Sequence, residues 1–161
     1  MAVYYFDTSG LVKYYLAETG SAWVYGLIDA ALPDGSPRHT IQITSIGVVE
    51  VAAAVARRQR MGQITRTTQQ KTVALFLRHV QTRYTLLSLD EATFKLATDL
   101  TQHHPLRGYD AVHLAAALRL RAHLVAAGLP APVFISADDN QCATARAEGL
   151  MAENPNMIQD A

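Results

Sequence analysis

Four short runs of apolar, β-branched and aromatic residues alternate with longer segments of helical character along this chain. Such runs are typical of buried strands. Strands that alternate with helices predict an α/β fold, in which parallel strands are covered by helices on both faces. The predicted strands are residues 3–6, 41–44, 85–89 and 133–136. The predicted helices are residues 10–17, 21–31, 45–60, 65–83, 90–102 and 110–127, with a last short helix from about 140 to before Gly149.

The length and composition indicate one globular domain over residues 1–161. Half of the residues are hydrophobic and 17% are charged, which is ordinary for a folded domain. With Cys142 as its one cysteine, the chain cannot form an internal disulfide or a multi-cysteine metal site. The sequence shows no signal peptide or membrane span, so we expect a cytoplasmic protein.

The net charge of zero hides an uneven distribution of basic residues. Residues 51–89 contain no acid, and seven of the fourteen lysines and arginines lie there: Arg57, Arg58, Arg60, Arg66, Lys71, Arg78 and Arg83. A basic segment of this kind attracts phosphates. It is equally consistent with solvated helix faces or with a surface for an acidic partner.

Acidic residues directly follow the first and last predicted strands. Asp7 comes after the first strand, and Asp138 and Asp139 come after the last. In open α/β sheets, ligands bind outside the carboxyl ends of the strands. We therefore expect these carboxylates to face the same ligand site.

Two further acids belong to apolar segments. Glu50 lies in residues 45–55, which are otherwise small or apolar apart from the serine that opens them. A buried, unpaired carboxylate is costly, so Glu50 requires a cation, a hydrogen-bond donor or a proton. Asp110 opens the most apolar helix, where the helix dipole alone would also favour an acid.

If Asp7, Glu50, Asp110 and Asp138 converge, their like charges repel one another unless a cation is bound. Oxygen ligands without a histidine or cysteine cluster select Mg²⁺ or Mn²⁺ over Zn²⁺. Such an ion lowers the pKa of a bound water and orients that water for attack on a phosphodiester. The four acids thus predict metal-assisted hydrolysis, and the sequence offers no convincing protein nucleophile.

The sequence resembles the PIN-domain nucleases, and among them the VapC-type toxins of toxin–antitoxin pairs. The motifs that carry this resemblance are YFDTS at 5–9, Glu50, GYDAVHLAAA at 108–117 and ISAD at 135–138. The resemblance implies a three-layer α/β/α sandwich around a central parallel sheet. It also implies a Mg²⁺- or Mn²⁺-dependent endoribonuclease, commonly a homodimer, which an antitoxin encoded beside it holds inactive.

By position, the resemblance makes Asp7, Glu50, Asp110 and Asp138 the catalytic and metal-binding quartet, with a hydroxyl from Thr8 or Ser9 beside it. The family pattern places a small hydroxyl residue two positions before the last acid, which favours Asp138 over Asp139. Asp139 would then cap the last helix. Further candidates for supporting or RNA-binding roles are Asp139, Asn140, His113, Arg57 and Arg107. A core position for His113 and solvated positions for Arg57 and Arg107 are the alternatives.

Two other functions are compatible with parts of the sequence. A haloacid-dehalogenase-like phosphatase also places an aspartate after its first strand, but it needs a second aspartate where this chain has Ser9. A catalytically inactive PIN-like module for RNA binding or assembly is the other alternative. The presence of every expected acid argues against it, because unpaired acids are a liability once metal binding is lost.

Overall fold

The computed structural model describes residues 1–158 and contains five strands and seven α-helices in those residues. The strands are β1 (Val3–Phe6), β2 (Thr40–Thr44), β3 (Tyr84–Leu87), β4 (Val133–Ile135) and β5 (Met151–Glu153). The helices are α1 (Thr8–Leu11), α2 (Ser21–Ile28), α3 (Ser45–Arg60), α4 (Arg66–Thr82), α5 (Glu91–His103), α6 (Gly108–Ala126) and α7 (Asp139–Ala147). Short 3₁₀ helices occupy Val12–Tyr14 and Pro155–Met157.

All five strands pair in parallel in one sheet of order β3-β2-β1-β4-β5. The first strand therefore lies at the centre, with Tyr5 in register with Gln42 on one side and Phe134 on the other. Because the strands are parallel, the segments that follow β1, β2 and β4 leave the sheet at one edge. Those segments carry Asp7, Glu50 and Asp138.

Helices cover both faces of the sheet, which confirms the predicted three-layer α/β/α sandwich. Successive strand residues alternate between the faces, as pleating requires. Tyr5 and Phe134 pack with residues of α5, α6 and α7, and their stacked rings lie 5.6 Å apart. Phe6 and Ile135 pack on the other face with residues of α2, α3 and α4.

The sequence prediction was wrong in two places. The fifth strand was not predicted: its three residues, Met-Ala-Glu, have little strand character, and pairing with β4 holds them in the sheet. The first helix was predicted over residues 10–17, but α1 spans only Thr8–Leu11 and continues as a 3₁₀ turn. Gly10 brings this turn close to β4, because a Cβ at Gly10 would lie 2.9 Å from the Ile135 carbonyl oxygen.

Within residues 1–158, none of the helices combines the length and apolar character that a membrane crossing needs.

Candidate active site

One cavity of about 330 Å³ opens at the carboxyl edge of the sheet, and all four predicted carboxylates line it. They come from different parts of the fold: Asp7 follows β1, Glu50 lies in α3, Asp110 lies in the first turn of α6, and Asp138 precedes α7. The wall is completed by Thr8, Ser9, Val12, Ala54, Arg107, Tyr109, His113 and Gln141. Carboxylates up to 131 positions apart in the sequence thus line one space.

Asp7 is the most deeply buried of the four acids, with 3% of its surface exposed. It caps α1: its Oδ1 accepts hydrogen bonds from the Gly10 backbone N–H and from Ser9 Oγ, both at 2.8 Å. Burial raises the pKa of Asp7 above its usual value. The charge of His113 and the hydrogen bonds from Ser136, Gly10 and Ser9 lower this pKa, but they offset burial only in part. The fold therefore holds this carboxyl in place at an electrostatic cost that a nearby cation would relieve.

Glu50 is half-buried and has two donors on one oxygen. The Thr8 hydroxyl lies 2.6 Å from Glu50 Oε2, and His113 Nε2 lies 2.7 Å from the same atom. Burial by itself would raise the pKa of Glu50, but the hydrogen bonds from His113 and Thr8 and the charge of His113 lower it. Glu50 is thus stabilised in its ionised form by hydrogen-bond donors, which are one of the three kinds of partner that the sequence required for it.

Arg107 connects the other two carboxylates at the mouth of the cavity. Its Nε lies 2.9 Å from Asp110 Oδ2, and one terminal nitrogen lies 3.7 Å from Asp138 Oδ2. The side chain of Arg107 is 81% exposed, so both ion pairs are weakened by solvent. Breaking the ion pairs of Arg107 with Asp110 and Asp138 therefore requires little free energy.

The structure distinguishes Asp138 from its neighbour. Asp138 lines the cavity and caps α7, where its Oδ1 accepts from the backbone N–H groups of Asn140 and Gln141. Asp139 is exposed, and its carboxylate accepts a hydrogen bond of 2.7 Å from Asn154. The prediction that Asp139 caps this helix was wrong, because the carboxylate one residue earlier meets the free N–H groups. Neither Asp139 nor the exposed Asn140 lines the cavity.

The sequence interpretation missed how two buried polar residues, Gln141 and Ser136, hold the cavity together, although Ser136 had marked the position of Asp138. Gln141 donates from its amide to the Asp110 carbonyl oxygen at 3.1 Å, and it accepts from the Ser136 hydroxyl at 3.3 Å. Ser136 also lies 3.3 Å from Ser9 Oγ. These bonds link β4 and α7 to the starts of α1 and α6. The sequence offered one signal for Gln141: it follows Asp138 by three residues, a spacing that brings two side chains to the same side of a helix start.

In residues 1–158, no three aspartate, glutamate, histidine or cysteine side chains lie close enough together to hold a metal ion directly. The donor set nevertheless fits Mg²⁺ or Mn²⁺, because four carboxylates around one cavity provide only oxygen ligands. Mg²⁺ retains several of its waters when bound, so the carboxylates need not all touch the ion. Asp7, Glu50, Asp110 and Asp138 are the residues that would hold it.

A larger cavity of about 700 Å³ adjoins this one and shares Thr8, Glu50 and Ala54 with it. We call it the arginine groove, because Arg57, Arg58 and Arg60 line it together with Ala53, Met61 and Gln63. Arg58 forms an ion pair with Glu18. Within residues 1–158, Arg57 and Arg60 form no ion pair, so their charges are available to a ligand.

Comparisons with known proteins identify the family and agree with the fold. The family model of the PIN domain matches residues 4–147. No curated protein matches the sequence significantly. Among solved structures, VapBC2 from Rickettsia felis, bound to a DNA fragment from its promoter, is similar with a TM-score of 0.60 at 14% identity, over 94% of this chain and 98% of that one. Two further solved structures are also similar. PAE2754 from Pyrobaculum aerophilum has a TM-score of 0.58 at 16% identity, over 94% of this chain and 89% of that one. FitAcB from Neisseria gonorrhoeae has a TM-score of 0.54 at 14% identity, over 97% of this chain and 99% of that one. The fold, and a family match that covers most of the chain, together establish that this protein belongs to the PIN domain family.

Proposed function

We propose that this protein is a metal-dependent endoribonuclease. The observation that carries the proposal is the cavity lined by Asp7, Glu50, Asp110 and Asp138, which four separate elements bring to one edge of the sheet. Membership of the PIN domain family supports a nuclease. Four acids in one cavity without a cation would repel one another, so the arrangement favours chemistry that uses a divalent ion.

The proposed reaction is hydrolysis of an RNA phosphodiester by water. A bound Mg²⁺ or Mn²⁺ would supply an acidified water and neutralise charge on the phosphate. The hydroxyls of Ser9 and Thr8 are each bonded to a carboxylate of the cavity, since Ser9 donates to Asp7 and Thr8 donates to Glu50. Their part is to orient the carboxylates. Arg107, which is exposed at the cavity mouth, is placed to contact a phosphate that approaches Asp110 and Asp138.

The chemistry of the product ends tests this function. We expect a mixed-sequence RNA to be cleaved internally in the presence of Mg²⁺, with products free of 2′,3′-cyclic phosphate, because the attacking group is water rather than the RNA 2′-hydroxyl. Mass spectrometry of the fragments identifies the ends. Cyclic phosphate ends would exclude the proposed mechanism, and RNA that is bound but stays intact would favour the inactive PIN-like module.

We further propose that the arginine groove holds the RNA backbone next to the cleavage site. The groove shares Thr8 and Glu50 with the acidic cavity, so a strand that enters one continues into the other. Arg57 and Arg60 supply positive charge that no acid within residues 1–158 pairs with. This arrangement favours phosphate binding over the alternative of a merely solvated helix face.

Replacing Arg57 with alanine is expected to weaken RNA binding about tenfold and to reduce the slope of log K against log salt by about one, because one phosphate contact is lost. Fluorescence anisotropy with a labelled RNA and the uncleaving Asp7→Asn protein measures both quantities. Arg119→Ala is the matched control: Arg119 pairs with Asp90 and lines neither cavity. A salt slope that stays the same in Arg57→Ala would assign the groove to another partner.

The biological role that we propose is that of the toxin in a toxin–antitoxin pair. The similarity in fold to VapBC2 and the motifs shared with VapC-type toxins support it. The cognate antitoxin would be the inhibiting partner, and the active form would be a homodimer in the cytoplasm. An apolar groove beside α5 and α6, with the exposed Phe94 and Tyr109 in its wall, is a surface that a second copy could cover.

A further inference from the structure

Two buried residues form a hydrogen-bonded chain that ends on Glu50. His113 lies in α6 with 2% of its surface exposed, and Tyr5 lies in β1 with none. The Tyr5 hydroxyl is 2.8 Å from His113 Nδ1, and His113 Nε2 is 2.7 Å from Glu50 Oε2. Both ring nitrogens of His113 are therefore engaged, one by the central strand and the other by a carboxylate of the cavity.

The donor and acceptor roles in this chain follow from chemistry. An ionised carboxylate only accepts hydrogen bonds, so His113 Nε2 carries the hydrogen that it shares with Glu50. Nε2 therefore presents a donor to Glu50 whether the ring is neutral or charged. A tyrosine hydroxyl can both donate and accept, so Tyr5 bonds to Nδ1 in either state and fixes the orientation of the ring.

The two donors on Glu50 leave one of its oxygens available. Thr8 Oγ1 and His113 Nε2 both bond to Oε2. Within residues 1–158, no hydrogen bond or ion pair reaches Oε1. The Glu50 carboxylate is therefore held through Oε2, while the lone pairs of Oε1 are available to a ligand. Glu50 lines both the acidic cavity and the arginine groove.

A histidine in an apolar helix is commonly a core residue whose polar atoms are merely satisfied. His79 in α4 provides a comparison away from the site: it is half-buried, bonds to the Tyr15 hydroxyl at 2.9 Å, and lines neither the acidic cavity nor the arginine groove. His113 differs, because the group it bonds with its second nitrogen is one of the four site carboxylates. Outer partners of this kind that orient ligating side chains commonly change metal affinity by 10–100-fold when they are removed.

We propose that Tyr5 and His113 are positioning residues that fix Glu50 with Oε1 presented to a divalent cation. The proposal rests on the function proposed above, because it takes Glu50 as a ligand of that cation. Tyr5 is fully buried and His113 has 2% of its surface exposed, so we place their effect on the orientation of Glu50 rather than on the substrate.

The test measures binding of Mn²⁺ alone, by electron paramagnetic resonance, together with kcat and KM for RNA cleavage. His113→Ala is expected to weaken Mn²⁺ binding about tenfold and to lower kcat with little change in KM. His113→Gln is expected to restore most of the affinity, because the glutamine amide can donate where Nε2 does. Tyr5→Phe removes one oxygen and keeps the ring, and a decrease of a few-fold is expected. His79→Ala, which breaks a similar tyrosine–histidine bond away from the site, is expected to change neither quantity.

The outcomes separate the positioning role from the proposed function. Unchanged Mn²⁺ affinity in both His113→Ala and Tyr5→Phe would overturn the positioning role, as would equal losses in His113→Gln and His113→Ala. If His113→Ala does not fold, Tyr5→Phe and His113→Gln decide the question. A wild-type protein that binds Mn²⁺ and cleaves no RNA would contradict the nuclease function, whereas the Mn²⁺ affinities of the variants would still test the positioning role.

Discussion

Asp7→Asn is expected to abolish RNA cleavage, lowering kcat at least 100-fold, while the protein remains folded. Asparagine has the same shape as aspartate and can keep the hydrogen bonds from Ser9 and Gly10, but it removes the charge next to the proposed ion. A 100-fold loss corresponds to about 2.7 kcal/mol of transition-state stabilisation. Single-turnover cleavage of a labelled RNA measures the effect.

The same substitution is expected to raise the melting temperature in metal-free buffer by about 2–4 °C, the shift that about 1 kcal/mol produces in a chain of this length. The reason is that burial raises the pKa of Asp7, so the ionised form destabilises the fold at neutral pH. Asp139→Asn is the matched control, since Asp139 is exposed and bonds to Asn154; it should retain cleavage. Cleavage by Asp7→Asn at the wild-type rate would remove Asp7 from the mechanism.

Removal of divalent metal is the second change with a large expected effect. Chelation with EDTA should reduce cleavage at least 100-fold, and excess Mg²⁺ or Mn²⁺ should restore it, because the proposed attacking group is a metal-activated water and the hydroxyls of Thr8 and Ser9 are bonded to Glu50 and Asp7. Metal should also stabilise the fold by relieving repulsion among the acids. When the concentration of free metal is a hundred times its dissociation constant, the free energy of unfolding increases by about 2.7 kcal/mol, which raises the melting temperature by about 5–10 °C.

Differential scanning fluorimetry with and without millimolar Mg²⁺ measures the stabilisation. In Asp7→Asn the gain should be smaller, because one of the four charges is gone. Full cleavage activity in EDTA, or a melting curve that metal leaves unchanged, would contradict a metal-dependent mechanism.

Local sequence signals were sufficient for the elements that carry the site. Residues 45–60 are rich in alanine and follow a capping threonine, and α3 spans the same residues, with Thr44 accepting from the Gly47 backbone N–H. Residues 3–6 form a strand as predicted, and the structure places this strand at the centre of the sheet. Because the strands are parallel and the acids follow them, the common edge could be predicted as well.

The long-range partners of the acids could not be predicted, because they depend on contacts between distant parts of the chain. The ion pair between Arg107 and Asp138 and the bond from His113 to Glu50 form only when these segments meet at the edge of the sheet, whereas the Arg107–Asp110 pair is local, between residues three positions apart. The role of Tyr5 was hidden for a related reason: in the sequence it reads as one apolar residue of a strand. The fifth strand exists only through its pairing with β4.

We propose that Asp7, Glu50, Asp110 and Asp138 hold one divalent ion in one cavity. Binding of Mn²⁺ can be titrated by electron paramagnetic resonance in the wild type, in the four single Asn or Gln variants of these residues, and in Asp139→Asn. Each of the four variants is expected to bind Mn²⁺ about tenfold or more weakly, while Asp139→Asn binds it as the wild type does. A wild-type protein that binds no Mn²⁺ at millimolar concentration, or four variants that bind it with unchanged affinity, would exclude a divalent ion held by these four carboxylates.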